Sequence, residues 1–229
     1  MTCWPIPALC LASGSILDCR PLATHHPSRE LIVGYARGAL PIGPSLAVGL
    51  HLDACPRCGL AVAELEEAEG RRLQSLPGAP LGPEALRDVL AKIDGPIQGV
   101  KSPSIIEGLN LPEAIARIGL ATPIHLAPAT WVAHLNAPRV GGWRTYVFCG
   151  PAETALPRHG HLGDELIAVL EGSFHDEREF NTGDFAENKP GFVHDMQVSP
   201  DGRLVALISS GGAIDWAPAD RSIGALLDI

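Results

Sequence analysis

The chain has 229 residues, a length that favours two modest domains. Hydrophobic residues make up 46% of it and charged residues 19%, which allows a buried core and argues against wholesale disorder. The net charge of −9 and the lack of a Lys/Arg cluster argue against direct nucleic-acid binding, and no apolar run reaches the ~20 residues that span a bilayer.

The first segment, residues 1–22, carries no Lys or Arg ahead of its apolar stretch, unlike a signal peptide. We therefore expect a cytoplasmic protein without a membrane segment, and interpret residues 1–22 as a disordered extension or the product of an early start codon. In a reducing cytosol, a close cysteine pair near a histidine indicates a metal site more than a disulfide. Of the six cysteines, only Cys55 and Cys58 form such a pair.

Residues 23–95 have the pattern of a small helical domain. Proline-rich stretches separate its predicted helices. One of these helices carries an acidic run, Glu64–Glu69, which is typical of a solvated face. Four apolar residues near the end of the domain have the i, i+3, i+4, i+7 spacing of one helix face: Leu86, Val89, Leu90 and Ile93.

The first group of candidate metal ligands reads H-x3-C-x2-C and consists of His51, Cys55 and Cys58. Within one helix these offsets would place all three residues on one face. Pro56 lacks the N–H that a helix interior needs, so we predict that one helix ends near Cys55 and the next begins at Pro56. The positive end of that second helix would help to keep the thiols deprotonated.

A fourth ligand for this site must come from elsewhere in the chain. His26 lies 25 residues before His51 and is the candidate, although His25 competes with it and spacing does not decide between them. Four Cys and His ligands form a closed set, so the pattern predicts structural zinc. The alternative interpretation is a helix with two incidental cysteines.

Residues 96–111 are rich in Pro and Gly and are predicted to be a linker between domains that touch through a modest interface. In residues 112–229, short strand-like runs alternate with Gly, Pro, Asp and Asn, which predicts an all-β barrel or sandwich. The predicted fold class is therefore α+β and multidomain.

A second group of candidate ligands lies in this β domain. His159, His161 and Glu165 read H-x-H-x3-E, and His194 follows in P-G-x2-H. Alternation along a strand points His159 and His161 to the same side, and Glu165 can return to that side from the next strand. Three imidazoles and one carboxylate suit zinc, manganese, iron or nickel. The alternative interpretation is that these are surface histidines on β-turns.

Together the two groups of ligands resemble those of a known family. The stretch HHPSRELIVGYARGALPIGPSLAVGLHLDACPRC resembles the zinc-binding anti-sigma domain, and HGHLGDELIAVLEGSFHDE, with the later GDF and PGFVH, resembles a cupin. In this order they resemble the ChrR family of anti-sigma factors, which hold an extracytoplasmic-function sigma factor inactive. The resemblance runs from about residue 25 to the end of the chain.

The resemblance implies a helical zinc-binding bundle followed by a cupin barrel of the jelly-roll type. It implies one zinc site and a second site for zinc or another divalent transition metal; their ligands would be His26, His51, Cys55 and Cys58, and His159, His161, Glu165 and His194. It further implies a regulator, not an enzyme, that sequesters a sigma factor and releases it when the cupin domain senses oxidative stress of the singlet oxygen or peroxide type. Glu153 and Val198 depart from the family pattern, which has Gly and Asn there.

A metal-dependent cupin enzyme, such as a dioxygenase with an accessory zinc domain, is the alternative. A site with three His and one Glu leaves open positions for water or dioxygen. An enzyme would also need acid, base or binding groups beside the metal, and Tyr146, Glu187 and Asp195 are the candidates.

Overall fold

The computed structural model describes residues 23–93, 109 and 111–227. The predicted extension, residues 1–22, lies outside this part of the chain, and so does the predicted linker apart from residues 109 and 111. Four helices form the described part of the amino-terminal module: α1 (Arg29–Ala36), α2 (Ile42–Ala54), α3 (Pro56–Gln74) and α4 (Ala85–Ile93).

The break between α2 and α3 is the one predicted from Pro56. Cys55 lies between α2 and α3 in an extended conformation (φ −122°, ψ 94°), and Pro56 is the first residue of α3. The two helices meet at a bend of 118°. No single helix in the described part of the chain is long and apolar enough to cross a membrane, although the bent pair α2 and α3 passes that test when the two are joined.

Helix α4 confirms the predicted apolar periodicity but does not bury it. Its four apolar side chains have exposed fractions between 49% and 71%: Leu86, Val89, Leu90 and Ile93. Apolar side chains at this spacing form one continuous stripe along the helix. We call this stripe the α4 face.

The carboxy-terminal module begins with helix α5 (Glu113–Ile118) and is a sandwich of two antiparallel sheets. The six-stranded sheet has the order β1-β2-β3-β10-β5-β8, and the five-stranded sheet β11-β4-β9-β6-β7. The strands are β1 (Ile124–Ala127), β2 (Thr130–His134), β3 (Arg144–Gly150), β4 (Ala155–His161), β5 (Glu165–Glu171), β6 (Ser173–His175), β7 (Glu179–Asn181), β8 (Phe185–Asn188), β9 (Val193–Val198), β10 (Leu204–Ser210) and β11 (Ile214–Trp216), and helix α6 (Arg221–Leu227) follows them. The predicted helical module followed by an all-β cupin-like domain is confirmed.

Two apolar clusters form the core. One fills the space between the sheets and includes Phe148, Ile167 and Met196. The other joins the helical module to the β domain, because Val48 of α2 belongs to the same cluster as Leu207 of β10. Helix α2 is apolar on most of its surface and packs against α1, α3, β5 and β10, so the two modules share a core where the sequence predicts a modest interface.

Two of the turns of the β domain with left-handed backbone conformations concern the sequence motifs. Glu153, which stands where the family pattern has glycine, has φ +62° in the turn between β3 and β4. Gly183 has φ +93° just before β8, a conformation that favours glycine. The second of these turns faces the helical module, because the position of a Cβ at Gly183 lies 3.2 Å from the Ala54 Cβ.

Candidate metal centres

The first cluster of candidate ligands lies where α2, α3 and the segment before α1 meet. His26, His51, Cys55 and Cys58 each place one donor atom within 4.8 Å of all the others. His51, Cys55 and Cys58 are buried, and His26 is partly buried. We call this cluster the first centre.

The spacing of the donor atoms in the first centre fits a single tetrahedral ion. The His26 Nδ1 atom lies 3.4 Å from His51 Nε2 and 3.5 Å from each of the Cys55 and Cys58 sulfurs. An ion with metal–ligand bonds of about 2.0–2.3 Å in tetrahedral geometry separates its ligand atoms by roughly 3.3–3.8 Å. His26 therefore belongs to the cluster, whereas the neighbouring His25 contacts Asp184 with its ring nitrogen at 3.5 Å.

The protonation of the first centre in the metal-free chain follows from its burial. Burial lowers the pKa of both His51 and His26, so these rings favour the neutral form that can bind a metal. Burial and the neighbouring Cys55 raise the pKa of the Cys58 thiol to about 12, so the helix end does not keep this thiol deprotonated in the metal-free chain, contrary to the prediction from sequence. A metal ion must therefore displace a thiol proton on binding.

The second cluster of candidate ligands lies between the two sheets. His159 and His161 are in β4 and His194 is in β9, and their donor atoms all lie within 4.8 Å of one another. The Glu165 Oε2 atom is 3.3 Å from His161 Nε2 and 3.7 Å from His194 Nε2. All four residues are buried, and together they form the second centre.

Hydrogen bonds behind the ligands orient the second centre. His159 Nδ1 lies 2.8 Å from the Pro157 carbonyl oxygen, and His194 Nδ1 lies 3.3 Å from Asp176 Oδ2. A ring whose Nδ1–H donates to such an acceptor presents the lone pair of its Nε2 atom to a metal. Asn188 Nδ2 donates to Glu165 Oε2 at 3.0 Å and fixes the carboxylate on the same side.

The titration behaviour of the second centre also suits a metal. Burial lowers the pKa of His159 to about 4 and that of His161 to about 3, so both imidazoles are neutral at ordinary pH. Burial raises the pKa of Glu165. A divalent cation would compensate the desolvation of that carboxylate and use the neutral imidazoles as ligands.

A small cavity of about 30 Å³ adjoins the second centre. Its walls are mainly apolar, and His159, Glu165 and His194 lie along it together with Tyr146 and Trp216. The Trp216 Nε1 atom is buried and has no hydrogen-bond partner in the described part of the chain. Since one water needs about 10–15 Å³ of such space, the cavity accepts only a molecule the size of two or three waters.

The sequence-based candidates for acid–base chemistry do not converge on this cavity. Tyr146 lines it. Glu187 instead accepts a hydrogen bond from the Ser28 N–H at 2.9 Å, on the side of the helical module. Asp195 has a side chain that is 77% exposed and lies 3.8 Å from Arg158.

Sequence reasoning assigned no ligand-supporting role to four residues that have one in the structure: Asp176, Gly183, Asp184 and Asn188. Gly183 and Asp184 belong to the GDF stretch of the cupin-like motif, but nothing in that motif indicates a contact with the helical module. Asp176 directly follows His175 and carries no spacing signal toward His194. Packing of the two sheets and of the helical module against the β domain brings these groups to the metal ligands.

Comparison with known proteins identifies the family. The ChrR cupin-like domain family matches residues 114–213. The anti-sigma-E factor ChrR of Cereibacter sphaeroides is 30% identical over 167 residues, which cover 70% of this chain and 76% of that protein.

Among the solved structures that match, one is similar over most of this chain and another over about half of it. The crystal structure of Rhodobacter sphaeroides SigE in complex with the anti-sigma ChrR matches at 25% identity with a TM-score of 0.65, covering 82% of this chain and 99% of that chain. An RmlC-like cupin protein from Ralstonia eutropha matches at 16% identity with a TM-score of 0.39, covering 47% of this chain and 80% of that one. From its similarity to the curated relative, the chain belongs to the ChrR family of anti-sigma factors.

Proposed function

We propose that this chain is an anti-sigma factor that sequesters an extracytoplasmic-function sigma factor. The observation that carries the proposal is the α4 face, a stripe of four apolar side chains left at least 49% exposed. Exposed apolar stripes of this kind are typical of helices that dock into a groove of a partner protein. The similar structure of ChrR was solved in complex with SigE, which supports a sigma factor as that partner.

The charge of the helical module complements the apolar stripe. Glu64, Glu66 and Glu67 are exposed on α3, and the chain as a whole carries a net charge of −9. Exposed acidic residues on the same module as an apolar stripe favour a partner that also carries basic groups. We infer that α3 and α4 together form the surface that contacts the sigma factor.

The first centre has a structural role in this proposal and binds zinc. Its four Cys and His donors form a closed set with no open position for chemistry. The metal would contribute folding free energy to a module whose four described helices are short on core residues of their own. Residues 23–95 then act as the inhibitory domain and residues 112–229 as the cupin domain.

Release of the sigma factor belongs to the second centre, which binds zinc or another divalent transition metal. Its ligands adjoin the small apolar cavity, which has room for a small oxidant beside a metal held there. We infer that oxidative stress acts at this centre and favours the released state of the complex. Since a sigma factor works on RNA polymerase, the protein acts in the cytoplasm without binding nucleic acid itself.

An enzymatic role has less support than a regulatory one. Of the three candidate acid–base groups, only Tyr146 lines the cavity beside the second centre. A cupin enzyme needs several such groups converging on the metal. Family membership points in the same direction, toward a regulator.

Binding of a sigma factor to surface variants tests the proposal. We would titrate the full chain with an extracytoplasmic-function sigma factor from the same genome, choosing first one encoded beside it, by calorimetry. The double substitution Leu86→Glu and Leu90→Glu should weaken binding at least about 100-fold, because it charges the centre of the α4 face. The control Leu81→Glu changes a leucine that is 83% exposed but lies outside α4, and it should bind normally. Equal affinity of the double variant and the wild type would contradict the proposal.

A further inference from the structure

The segment that carries His26 is held by the β domain. Asp184, just before β8, accepts hydrogen bonds through Oδ1 from the Thr24 N–H at 2.6 Å and the His25 N–H at 3.0 Å. The Phe185 N–H in turn donates to the His25 carbonyl oxygen at 3.1 Å. These contacts join residues about 160 positions apart in the chain and fix the two residues that immediately precede His26.

Asp184 is well suited to hold a backbone segment in place. Its side chain is 1% exposed, and its second carboxylate oxygen accepts from the Asn181 N–H at 2.8 Å. Burial by itself would raise the pKa of Asp184, but the N–H donors of Asn181, His25 and Thr24 outweigh it and lower the pKa. The carboxylate is therefore charged in the folded chain, and charged acceptors make the stronger hydrogen bonds.

Regular secondary structure does not fix the position of His26. Residues 23–28 form no helix or strand, and α1 begins only at Arg29. Further along the segment, the Ser28 N–H donates to Glu187 Oε2 of β8 at 2.9 Å. The backbone on both sides of His26 is thus hydrogen-bonded to one short stretch of the β domain, residues 184–187.

We propose that Asp184 is a positioning residue for the first centre, through which the β domain places the His26 imidazole against Cys55 and Cys58. The β domain then adds to the support of the amino-terminal metal site by fixing the backbone around His26. When the groups that orient a ligand are removed, the affinity of the site for its metal ion falls by about 10–100-fold. This inference concerns metal binding and stands independently of the sigma-factor proposal.

The same stretch of chain also reaches the second centre. Asn188, at the end of β8, donates to Glu165 of the second centre. Asp184, just before the same strand, accepts from the segment that carries His26. Strand β8 pairs with β5 in the register Glu165–Asn188, so this one strand has a hydrogen-bonding group for a different centre at each of its ends. The two centres are therefore linked by one short strand.

Cobalt binding separates the two centres experimentally. Only the first centre contains thiols, so the thiolate-to-cobalt charge-transfer absorption of the full chain loaded with Co²⁺ reports that centre alone. The variant Asp184→Asn keeps the size of the side chain but replaces one acceptor oxygen by a donor. In competition with a chelator it should bind Co²⁺ at the first centre about 10–100-fold more weakly, with the affinity of the second centre unchanged.

Two further variants make the result decisive. Asp201→Asn is the matched control, since it changes an exposed aspartate and should leave both centres as in the wild type. Thr24→Pro removes the N–H that makes the 2.6 Å bond but leaves Asp184 and its turn in place, so it should also weaken the first centre alone. If both centres weaken equally in Asp184→Asn, or the first centre keeps its affinity in Thr24→Pro, Asp184 serves only the β domain and the inference is overturned.

Discussion

His51 of the helical module and Gly183 of the β domain are joined by a hydrogen bond of 2.8 Å between His51 Nδ1 and the Gly183 carbonyl oxygen. Because the carbonyl can only accept, the His51 ring must carry its proton on Nδ1. The Nε2 lone pair then faces the other donors of the first centre, with His26 Nδ1 3.4 Å away. A single backbone carbonyl of the β domain thus sets the tautomer of a candidate metal ligand.

The substitution Gly183→Ala tests that relationship. At φ +93° an alanine is strained, and its Cβ would lie 3.2 Å from the Ala54 Cβ at the end of α2. We expect about tenfold weaker metal binding at the first centre, measured by chelator competition. Gly78→Ala is the control, because nothing lies within 4 Å of a Cβ at that position. Unchanged affinity in Gly183→Ala would mean that the carbonyl contact is unimportant.

Removing one thiol should empty the first centre. In Cys58→Ala we expect the zinc content of the purified full chain to fall by about one equivalent, because three remaining donors hold the ion poorly. Thermal unfolding followed by circular dichroism should show loss of helix at lower temperature than in the wild type. The matched control is Cys149→Ala, which changes a buried cysteine of β3 outside both centres and should retain full zinc content. Equal zinc content in the two variants would argue against a thiolate site.

Metal affinity at the first centre should rise with pH. The pKa of the Cys58 thiol lies at about 12 in the metal-free chain, so this group is protonated throughout the range from pH 6 to pH 8. Binding releases that proton, and the apparent affinity should increase about tenfold per pH unit from this thiol alone. Titrations with Co²⁺ at pH 6, 7 and 8, read from the charge-transfer absorption, measure the slope. A flat profile would contradict direct thiolate ligation.

The second centre should be emptied without loss of the first. His161→Ala removes a buried imidazole whose Nε2 lies 3.0 Å from His194 Nε2. We expect one metal equivalent to disappear while the cobalt–thiolate absorption persists. His175→Ala, at an exposed position of β6, serves as the control. Simultaneous loss of metal from both centres would show that the second centre is required for the first.

Much of this arrangement follows from local sequence patterns. Pro56 predicts the break between α2 and α3, since a proline ends one helix and begins the next. The period-two spacing of His159 and His161 predicts that they point to the same side of a strand, and both lie in β4 with their donor atoms close together. Such patterns involve neighbours in the chain and are readable without the fold.

Other features depend on contacts that are distant in sequence. Spacing leaves His25 and His26 equivalent, and only the position of Asp184 separates their roles. The apolar periodicity of α4 predicts a helix correctly but does not tell whether its stripe is buried or exposed. The core that α2 shares with the β domain also cannot be predicted from the sequence, because the apolar composition of a helix does not indicate how many elements pack against it.

Transcription in vitro tests the central claim, sequestration of a sigma factor, most directly. RNA polymerase core enzyme, the sigma factor and a promoter that depends on it would be mixed with increasing amounts of the full chain. The account predicts that transcription falls to background near one chain per sigma factor, and that the Leu86→Glu, Leu90→Glu variant inhibits only at large excess. Undiminished transcription at a tenfold excess of the wild-type chain, for every extracytoplasmic-function sigma factor of the genome, would contradict it.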